Sequence, residues 1–352
     1  MPLNELYKRA IVPYEATIRQ AMEAINNSAL RICFICDEGR RVRGIATDGD
    51  IRRGLLAGCS LEDPVAPIMK VQFTHVINDH QYKHKAYALI NEKNYSHIPV
   101  LDHEGHLVDI VFNSRSYKRE RKDNAVVIMA GGQGMRLRPL TENCPKPLLK
   151  IGDKPILELI ILNFKRYGFH KFFISVNYLA EQIIDYIGDG SRWEVEVEYL
   201  REDERLGTAG SLSLLPRQQL PFFVINGDLI VQADMDDILT QHKETGVIGT
   251  MGIKQYSTKV PYGVVQVEGR YITALIEKPT HAYFINAGLY CLNPEAVDLI
   301  PPGYYDMTSL FEAMSALQKK ASAFLIEGTW IDIGNPEDYH YASENIAQLM
   351  PL

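Results

Sequence analysis

Four apolar β-formers in a row, Val126-Val127-Ile128-Met129, break at Gly131-Gly132, and Gly134, Arg136, Arg138 and Lys146 follow closely. A run apolar at every position fits a strand buried on both faces, as in a parallel sheet covered by helices. Here such a strand delivers its C-terminal end into a glycine-rich, basic loop. Glycines let the backbone approach an anion and turn its N–H groups onto it. Arginine and lysine add charge-assisted hydrogen bonds to phosphate oxygens. The loop is not a P-loop, because no Gly-Lys-Ser/Thr closes it. It is not a dinucleotide fingerprint either, since Leu137 stands where the third glycine belongs. A tight turn with surface arginines explains the glycines but not three cations and Pro145-Lys146-Pro147 in such close order.

Beyond residue 125 the pattern repeats. Phe172-to-Val176 and Phe222-to-Ile225 are further short apolar runs, and residues 156–164 supply an apolar helix between the first two. Strands alternating with helices predict an α/β domain with a mostly parallel sheet. Ligands of such sheets bind at the strands' carboxyl ends. Both the glycine loop and Asn226-Gly227-Asp228 fall at such ends.

The chain has 352 residues, room for two domains. A net charge of −7 argues against nonspecific nucleic-acid binding, so a basic cluster reads as a local anion site. No apolar run approaches a membrane span, and the start, MPLNELYKRA, lacks a hydrophobic signal core, so a cytoplasmic location is expected. Five cysteines at irregular spacing make no disulfide framework. Cys33 and Cys36 form a CxxC inside a β-like run. Three residues apart on a strand they point to opposite faces, which reads as core rather than chelation. Cys144, beside the basic loop, is a candidate reactive thiol.

The first 120 residues read as an internal repeat. Thr17 to Gln20 fits a capping box, with Ile18, Ala21, Met22 and Ile25 on one helical face. A strand over residues 32–36, a turn, and a second strand ending in Gly44-Ile45-Ala46-Thr47-Asp48-Gly49-Asp50 follow. The pattern recurs as a helix over 85–91, a strand at 97–100 and another over 107–112. Six histidines between His75 and His106 lack acidic or cysteine partners at ligand spacing and read as a solvated face. Tyr117 to Asn124, YKRERKDN, reads as a linker, giving domains of 1–120 and 121–352.

Residues 131–147 match GGxGxRLxPLTxxxPKP, and so resemble the signature of the sugar-phosphate nucleotidyltransferases, most closely the mannose-1-phosphate guanylyltransferase branch. The resemblance continues through Leu206-Gly207-Thr208-Ala209-Gly210-Ser211-Leu212, Asn226-Gly227-Asp228, Glu277-Lys278-Pro279, Asn286-Ala287-Gly288 and Trp330-Ile331-Asp332-Ile333-Gly334. It implies a Rossmann-like sheet domain joining a nucleoside triphosphate to a sugar 1-phosphate. By that resemblance Arg136, Lys146 and Asp228 are catalytic, and Asp228 and Asp332 hold Mg2+. Gly131, Gly132, Gly134, Arg136, Gly207 and Thr208 hold the nucleotide. Glu277, Lys278 and Asn286 hold the sugar phosphate. Physical chemistry supports the metal pair, since magnesium takes carboxylates, waters and substrate phosphates. A carboxylate inside the apolar run of Trp330 to Ile333 also needs a cation.

The repeat over residues 5–120 resembles a tandem pair of CBS (cystathionine β-synthase) domains, a smaller α+β module before the catalytic one. In that family a hydroxyl and an acidic residue at the second strand's end bind an adenine nucleotide. Thr47 and Asp50 match those positions, whereas Phe112 and Arg115 replace them in the second repeat. At most one regulatory adenine or guanine nucleotide is therefore expected, and a dimerising module without ligand is the alternative. A CBS pair fused to this domain resembles the glucosamine-1-phosphate guanylyltransferases. That implies GTP with glucosamine 1-phosphate, mannose 1-phosphate as runner-up, and a homo-oligomer. A nucleotide-sensing protein that no longer turns over is the rival from another class.

Overall fold

The computed structural model of the chain describes residues 8–28, 30–79, 82–93, 95–112 and 121–349. The chain divides into two compact units, residues 1–117 and 118–352. Among the described residues no helix is long and apolar enough to cross a membrane.

In the first unit the same small motif is built twice. Strand β1 (Ile11–Pro13), helix α1 (Ile18–Ser28), β2 (Ile32–Cys36) and β3 (Val42–Thr47) lead into α2 (Asp48–Leu56). Then β4 (Val76–Ile77), α3 (Tyr82–Lys93), β5 (His97–Leu101) and β6 (Leu107–Phe112) repeat the order. In each half the first strand pairs parallel with the second and the second antiparallel with the third. Thr17 and Gln20 exchange backbone-to-side-chain hydrogen bonds at the head of α1, a closed capping box. Ile18, Ala21, Ala24 and Ile25 bury the helix face, whereas Met22 is exposed. Position 22 lies one residue after position 21, about 100° round the helix, and so leaves the core stripe.

Four other expectations are corrected. The second strand stops at Thr47, because Thr47 caps the helix that begins at Asp48. The segment predicted as linker lies partly outside the described residues, as does Arg115. Its last residues, Lys122 to Asn124, belong to strand β7, where Asn124 is buried and bonded to Pro221 O. The histidine-rich segment is not a uniform solvated face. Half-buried His97 is held neutral, its pKa pushed down to about 4 by burial, and His106 joins Asp102 and the Gly39 carbonyl. His80 lies outside the described residues. Cys33 and Cys36 do face opposite sides of β2, in separate core clusters, and burial pushes their thiols up to about 12 and 11. Burial raises the Cys144 thiol too, which removes its candidacy as a reactive thiolate.

The second unit is built on a seven-stranded sheet. Its strands are β7 (Lys122–Met129), β10 (Phe169–Val176), β11 (Glu196–Arg201), β12 (Phe222–Asn226), β14 (Gly249–Lys259), β17 (Thr280–Leu292) and β18 (Ala321–Leu325). The order is β11-β10-β7-β12-β17-β14-β18. Every neighbouring pair is parallel except the two made by β17. Side chains alternate across the sheet. Val126 and Ile128 join a core with α4 (Ile156–Lys165) and α7 (Met235–Thr245), while Ala125 and Val127 pack toward α8 (Met307–Ala316). Phe164, Phe169 and Phe223 meet edge to face at 5.2–5.6 Å, which locks α4 onto the sheet. From β7 the chain winds outward through β10 to β11, then returns to β12 on the other side of β7. That reversal opens a crevice at the carboxyl ends of β7 and β12.

Candidate active site

The glycine loop leaves β7 at this crevice without regular structure and is held by its neighbours. Leu137 is buried in the main core, where a dinucleotide fold would place a helix-packing glycine. Gly134 has φ +61°, and a Cβ there would lie 3.1 Å from Lys146 Cβ and 3.0 Å from Thr141 Cγ2. The Thr141 hydroxyl donates to the Gly134 carbonyl at 2.7 Å. At Gly132 an added Cβ would meet nothing within 4 Å, so the loop presents an open backbone there.

Lys146 opens a short 3-10 turn and is buried, its ammonium donating to Asp228 Oδ2. Lys146 is therefore a buried, paired cation rather than a solvent-exposed one. The close approach to Gly134 draws its stem inward and Asp228 holds its head.

Asp228 follows β12 in a turn that needs glycine. A Cβ on Gly227 would come within 2.6 Å of the Met129 carbonyl, which accepts the Gly227 N–H at 2.8 Å. The chain continues into β13 (Leu229–Val231), antiparallel to β19 (Trp330–Asp332) with Leu229 opposite Asp332. Ile333 N–H donates to Asp228 O at 3.1 Å. Two carboxylates distant in sequence are thus brought near each other, Asp228 just before β13 and Asp332 at the end of β19. Asp332 Oδ1 is buried with no hydrogen-bond partner. Its carboxyl is raised above the usual range, first by burial and then by the Asp228 charge, although Lys146 and Arg136 pull the other way. Gly334 marks the convergence: its missing Cβ would lie 3.6–3.8 Å from Arg136 Nη1, Asp332 Oδ1 and Asp338 Oδ2.

A magnesium ion fits this donor set. Two carboxylates meet, and one keeps an orphaned buried oxygen. Among the described residues no group of three or more His, Cys, Asp and Glu is placed to cage a metal. Magnesium takes one or two carboxylates and completes its sphere with waters and substrate phosphates.

The remaining motifs divide between this cluster and its surroundings. The missing Cβ of Gly288 would lie 2.6 Å from Asn226 Nδ2, and Trp330 Nε1–H donates to the Ala287 carbonyl at 2.8 Å. The Asn-Ala-Gly motif is therefore packed on both aspartate motifs. Asn286 itself donates to the Tyr290 hydroxyl at 2.7 Å and accepts from Gly288 N–H. Gly207, at φ +81°, would place a Cβ 2.6 Å from the Tyr305 carbonyl, so only glycine fits. Thr208 Oγ1 and N–H bond Asp306, and Thr208 Oγ1 accepts from Met307 N–H, tying this motif to the head of α8. Glu277 and Lys278 stand apart, exposed in the turn before β17 and 3.8 Å from each other.

Sequence reasoning missed two residues. Glu202, just past β11, accepts hydrogen bonds from the Ser175 hydroxyl and Leu206 N–H, and its Oε1 would lie 3.1 Å from a Cβ on Gly131. Five positions before Gly207 in an acidic loop, it carried no periodic signal. Asp338, in the first turn of α9 (Pro336–Leu349), was legible only as a helix-start residue.

In the first unit, Thr47 and Asp50 are together but engaged with each other. The Asp50 carboxylate is buried and accepts from Thr47 N–H (3.0 Å), Thr47 Oγ1 (2.6 Å), Arg53 and Lys70 (3.2 Å). Burial alone would raise its pKa. The Thr47 bonds, Lys70 and Arg53 outweigh that and hold it below the usual carboxylate range. The stability it contributes is present above the unfolded-state pKa and lost as pH falls through the depressed one. Asp50→Ala is expected to destabilise the first unit by about 1–3 kcal/mol, as lost capping and unpaired donors together predict. Urea denaturation followed by the first unit's own signal measures it, and an unchanged midpoint would contradict the assignment.

Residues 125–349 match the nucleotidyl transferase family, and residues 8–57 match the CBS domain. The mannose-1-phosphate guanyltransferase of Schizosaccharomyces pombe is 34% identical over 224 residues, 60% of this chain and 61% of that protein. The UTP--glucose-1-phosphate uridylyltransferase of Synechocystis sp. is 32% identical over 244 residues, 62% of each. The chain thus spans about three fifths of the length of these curated relatives. Among solved structures, HddC from Yersinia pseudotuberculosis superposes with a TM-score of 0.51 at 26% identity, over 63% of this chain and 99% of that one. A complex of HddC with GMP-PN gives 0.50 at 27% identity, with the same coverage. With one family's pattern covering well over half its length, and its glycine-loop, Asn-Gly-Asp and Trp-Ile-Asp motifs meeting at the carboxyl ends of β7 and β12, the chain belongs to the nucleotidyl transferases, and it carries a CBS domain before the transferase domain.

Proposed function

We propose that the protein joins a nucleoside triphosphate to a sugar 1-phosphate, with GTP as the nucleotide and glucosamine 1-phosphate as the first choice of sugar. The observation that carries this reading is the meeting of Lys146, Asp228, Arg136 and Asp332 at the carboxyl ends of β7 and β12. A sugar-phosphate oxygen attacks the α-phosphorus, the new P–O bond forms, and the bond to the β-phosphate oxygen breaks to release pyrophosphate. Both reactants are anions, so the site must offset their repulsion and hold them in line. Arg136 and Lys146 do so with fixed positive charge, and the open backbone at Gly132 leaves room for the nucleotide. Mg2+ held by Asp228 and Asp332 would supply further charge neutralisation at the phosphates. Glu277, Lys278 and Asn286 are assigned to the sugar phosphate. Two relatives named for sugar-1-phosphate transfer support the reaction class.

Glu202 favours guanine. An ionised carboxylate has room for about four hydrogen bonds, of which Ser175 and Leu206 use two. Guanine presents two adjacent donors, N1–H and N2–H, which one carboxylate can accept together. Uracil and thymine offer one such donor, and adenine lacks the pair. A mannose-1-phosphate guanyltransferase among the relatives and the HddC complex with GMP-PN point the same way. The test is a matrix of nucleoside triphosphates against glucosamine, mannose and glucose 1-phosphates, scored by pyrophosphate release. GTP is expected to lead, and Glu202→Gln should cut its kcat/KM advantage over UTP about tenfold or more. No pyrophosphate from any pair would overturn the reaction. Turnover with UTP or dTTP ahead of GTP would overturn the base.

In the first unit the proposed ligand is a single nucleotide at Thr47 and Asp50. Ribose hydroxyls would have to replace Arg53 or Lys70 on the Asp50 carboxylate, and this exchange is the means by which binding would alter the unit.

A further inference from the structure

Lys254 stands where β14 loses a neighbour. Ile253 opposite Leu325 is the last pairing of β14 with β18, and Ile326 N–H donates back to the Ile253 carbonyl at 2.9 Å. Beyond that point β14 and β17 run on past the sheet, with the hairpin of β15 (Val264–Glu268) and β16 (Tyr271–Ile276) between them. The chain leaving β18 turns instead through residues 326–329 into β19. Carbonyls in that turn lie outside both ladders and need other donors. The half-buried Lys254 supplies them. Its ammonium donates to Ile326 O at 3.0 Å, Glu327 O at 3.2 Å and Gly328 O at 2.8 Å. An ammonium has three N–H donors, and each here meets one carbonyl. Burial lowers its pKa, with the Glu327 charge pulling the other way, so the ammonium gives up hydration to hold this turn.

What the turn delivers is Asp332. Strand β19 has three residues and, among the described residues, its one ladder partner is the equally short β13. A two-stranded ladder alone in water is marginally stable, so β19 must take its place from contacts at its ends and along its side. At its far end Ile333 N–H meets the Asp228 carbonyl, and along its side Trp330 meets the Ala287 carbonyl. Before its start, a Cβ on Gly328 would fall 2.2 Å from the Gln232 carbonyl, and Gln232 N–H donates to Thr329 O at 2.7 Å. The turn is thus pressed onto the end of β13 while Lys254 gathers its carbonyls. Asp332 comes four residues after Gly328, so at most about 14 Å of chain separates the clamp from the carboxylate. We propose that Lys254 is a positioning residue for the reaction: by gathering three successive carbonyls of the turn before β19, it sets where Asp332 stands beside Asp228, and so how tightly that pair takes a divalent cation. This rests on Asp228 and Asp332 being the metal pair. Groups that orient metal ligands from outside commonly govern affinity by roughly 10–100-fold.

The test titrates Mn2+ into the full chain, read by loss of the free ion's electron paramagnetic resonance signal, beside a Mg2+ titration of pyrophosphate release. Lys254→Met keeps an unbranched stem and removes all three donors. It should weaken Mn2+ binding about tenfold or more and raise the half-activating Mg2+ concentration to match, with turnover at saturating Mg2+ within about threefold of wild type. Lys254→Gln, which keeps two donors, should fall between the two, and carries the same comparison if the methionine variant does not fold. Asp332→Asn marks the loss expected when the ligand itself goes. A Lys254→Met protein that melts lower yet takes Mn2+ as wild type does has lost packing only, and overturns the positioning role while the metal pair stands. Mn2+ binding unchanged in Asp332→Asn as well overturns the metal pair, and the positioning role with it.

Discussion

Asp332→Asn is expected to lower turnover about a thousandfold and, in the same protein, to raise the melting temperature. The first effect follows from losing a charged metal ligand, where such interactions supply several kcal/mol to the reacting phosphates. The second follows from the sign of the Asp332 shift. Burial and the neighbouring Asp228 charge raise its pKa, so the folded state holds its proton more tightly than the unfolded state. Stability therefore falls as pH rises from the unfolded value through the raised folded one, and the full penalty stands above the raised value. Asparagine removes the charge at nearly constant shape, and the penalty goes with it. Magnesium should offset the same penalty in wild type, raising its melting temperature, with a smaller rise in the variant. Thermal melts with and without magnesium, alongside pyrophosphate release, read all three quantities. A variant that melts lower than wild type, or turns over within a few-fold of it, would count against this account of the two carboxylates.

Lys146→Ala is the second large effect, with turnover again expected to drop on the order of a thousandfold, as for lost stabilisation of phosphate charge. Here stability should fall rather than rise. The ammonium is buried against Asp228, and its removal leaves that carboxylate without its partner. A double-mutant cycle with Asp228→Asn separates the two roles. The pair's coupling in stability should be on the order of 1 kcal/mol, so the double variant recovers part of the loss. Activity should not recover at all. If turnover returned with stability, Lys146 would be a structural ion-pair partner and no more.

Much of the architecture was legible because it is written in local periodicity. Apolar runs at 126–129, 172–176 and 222–225 became the three central parallel strands. The helix–strand–strand repeat of the first unit and the placing of both glycine motifs at strand ends were readable for the same reason. Each depends on residues a few positions apart. What the sequence alone could not decide is everything that depends on distant segments meeting. Lys146 reads in sequence as one cation of a basic loop, and only the fold brings up Asp228, 82 residues on, to hold it. Asp332 looked costly in an apolar run, but its orphaned oxygen, its closeness to Asp228 and the convergence at Gly334 come from the pairing of β13 with β19. Thr208 reads as part of a loop motif, yet the fold commits its hydroxyl to the start of α8. Glu202 had no pattern to announce it and acquires meaning only beside Gly131. The hairpin of residues 264–276 lies in water only because of the chain's path past the edge of the sheet, since burial is a property of the packed surface and not of the residues that make it.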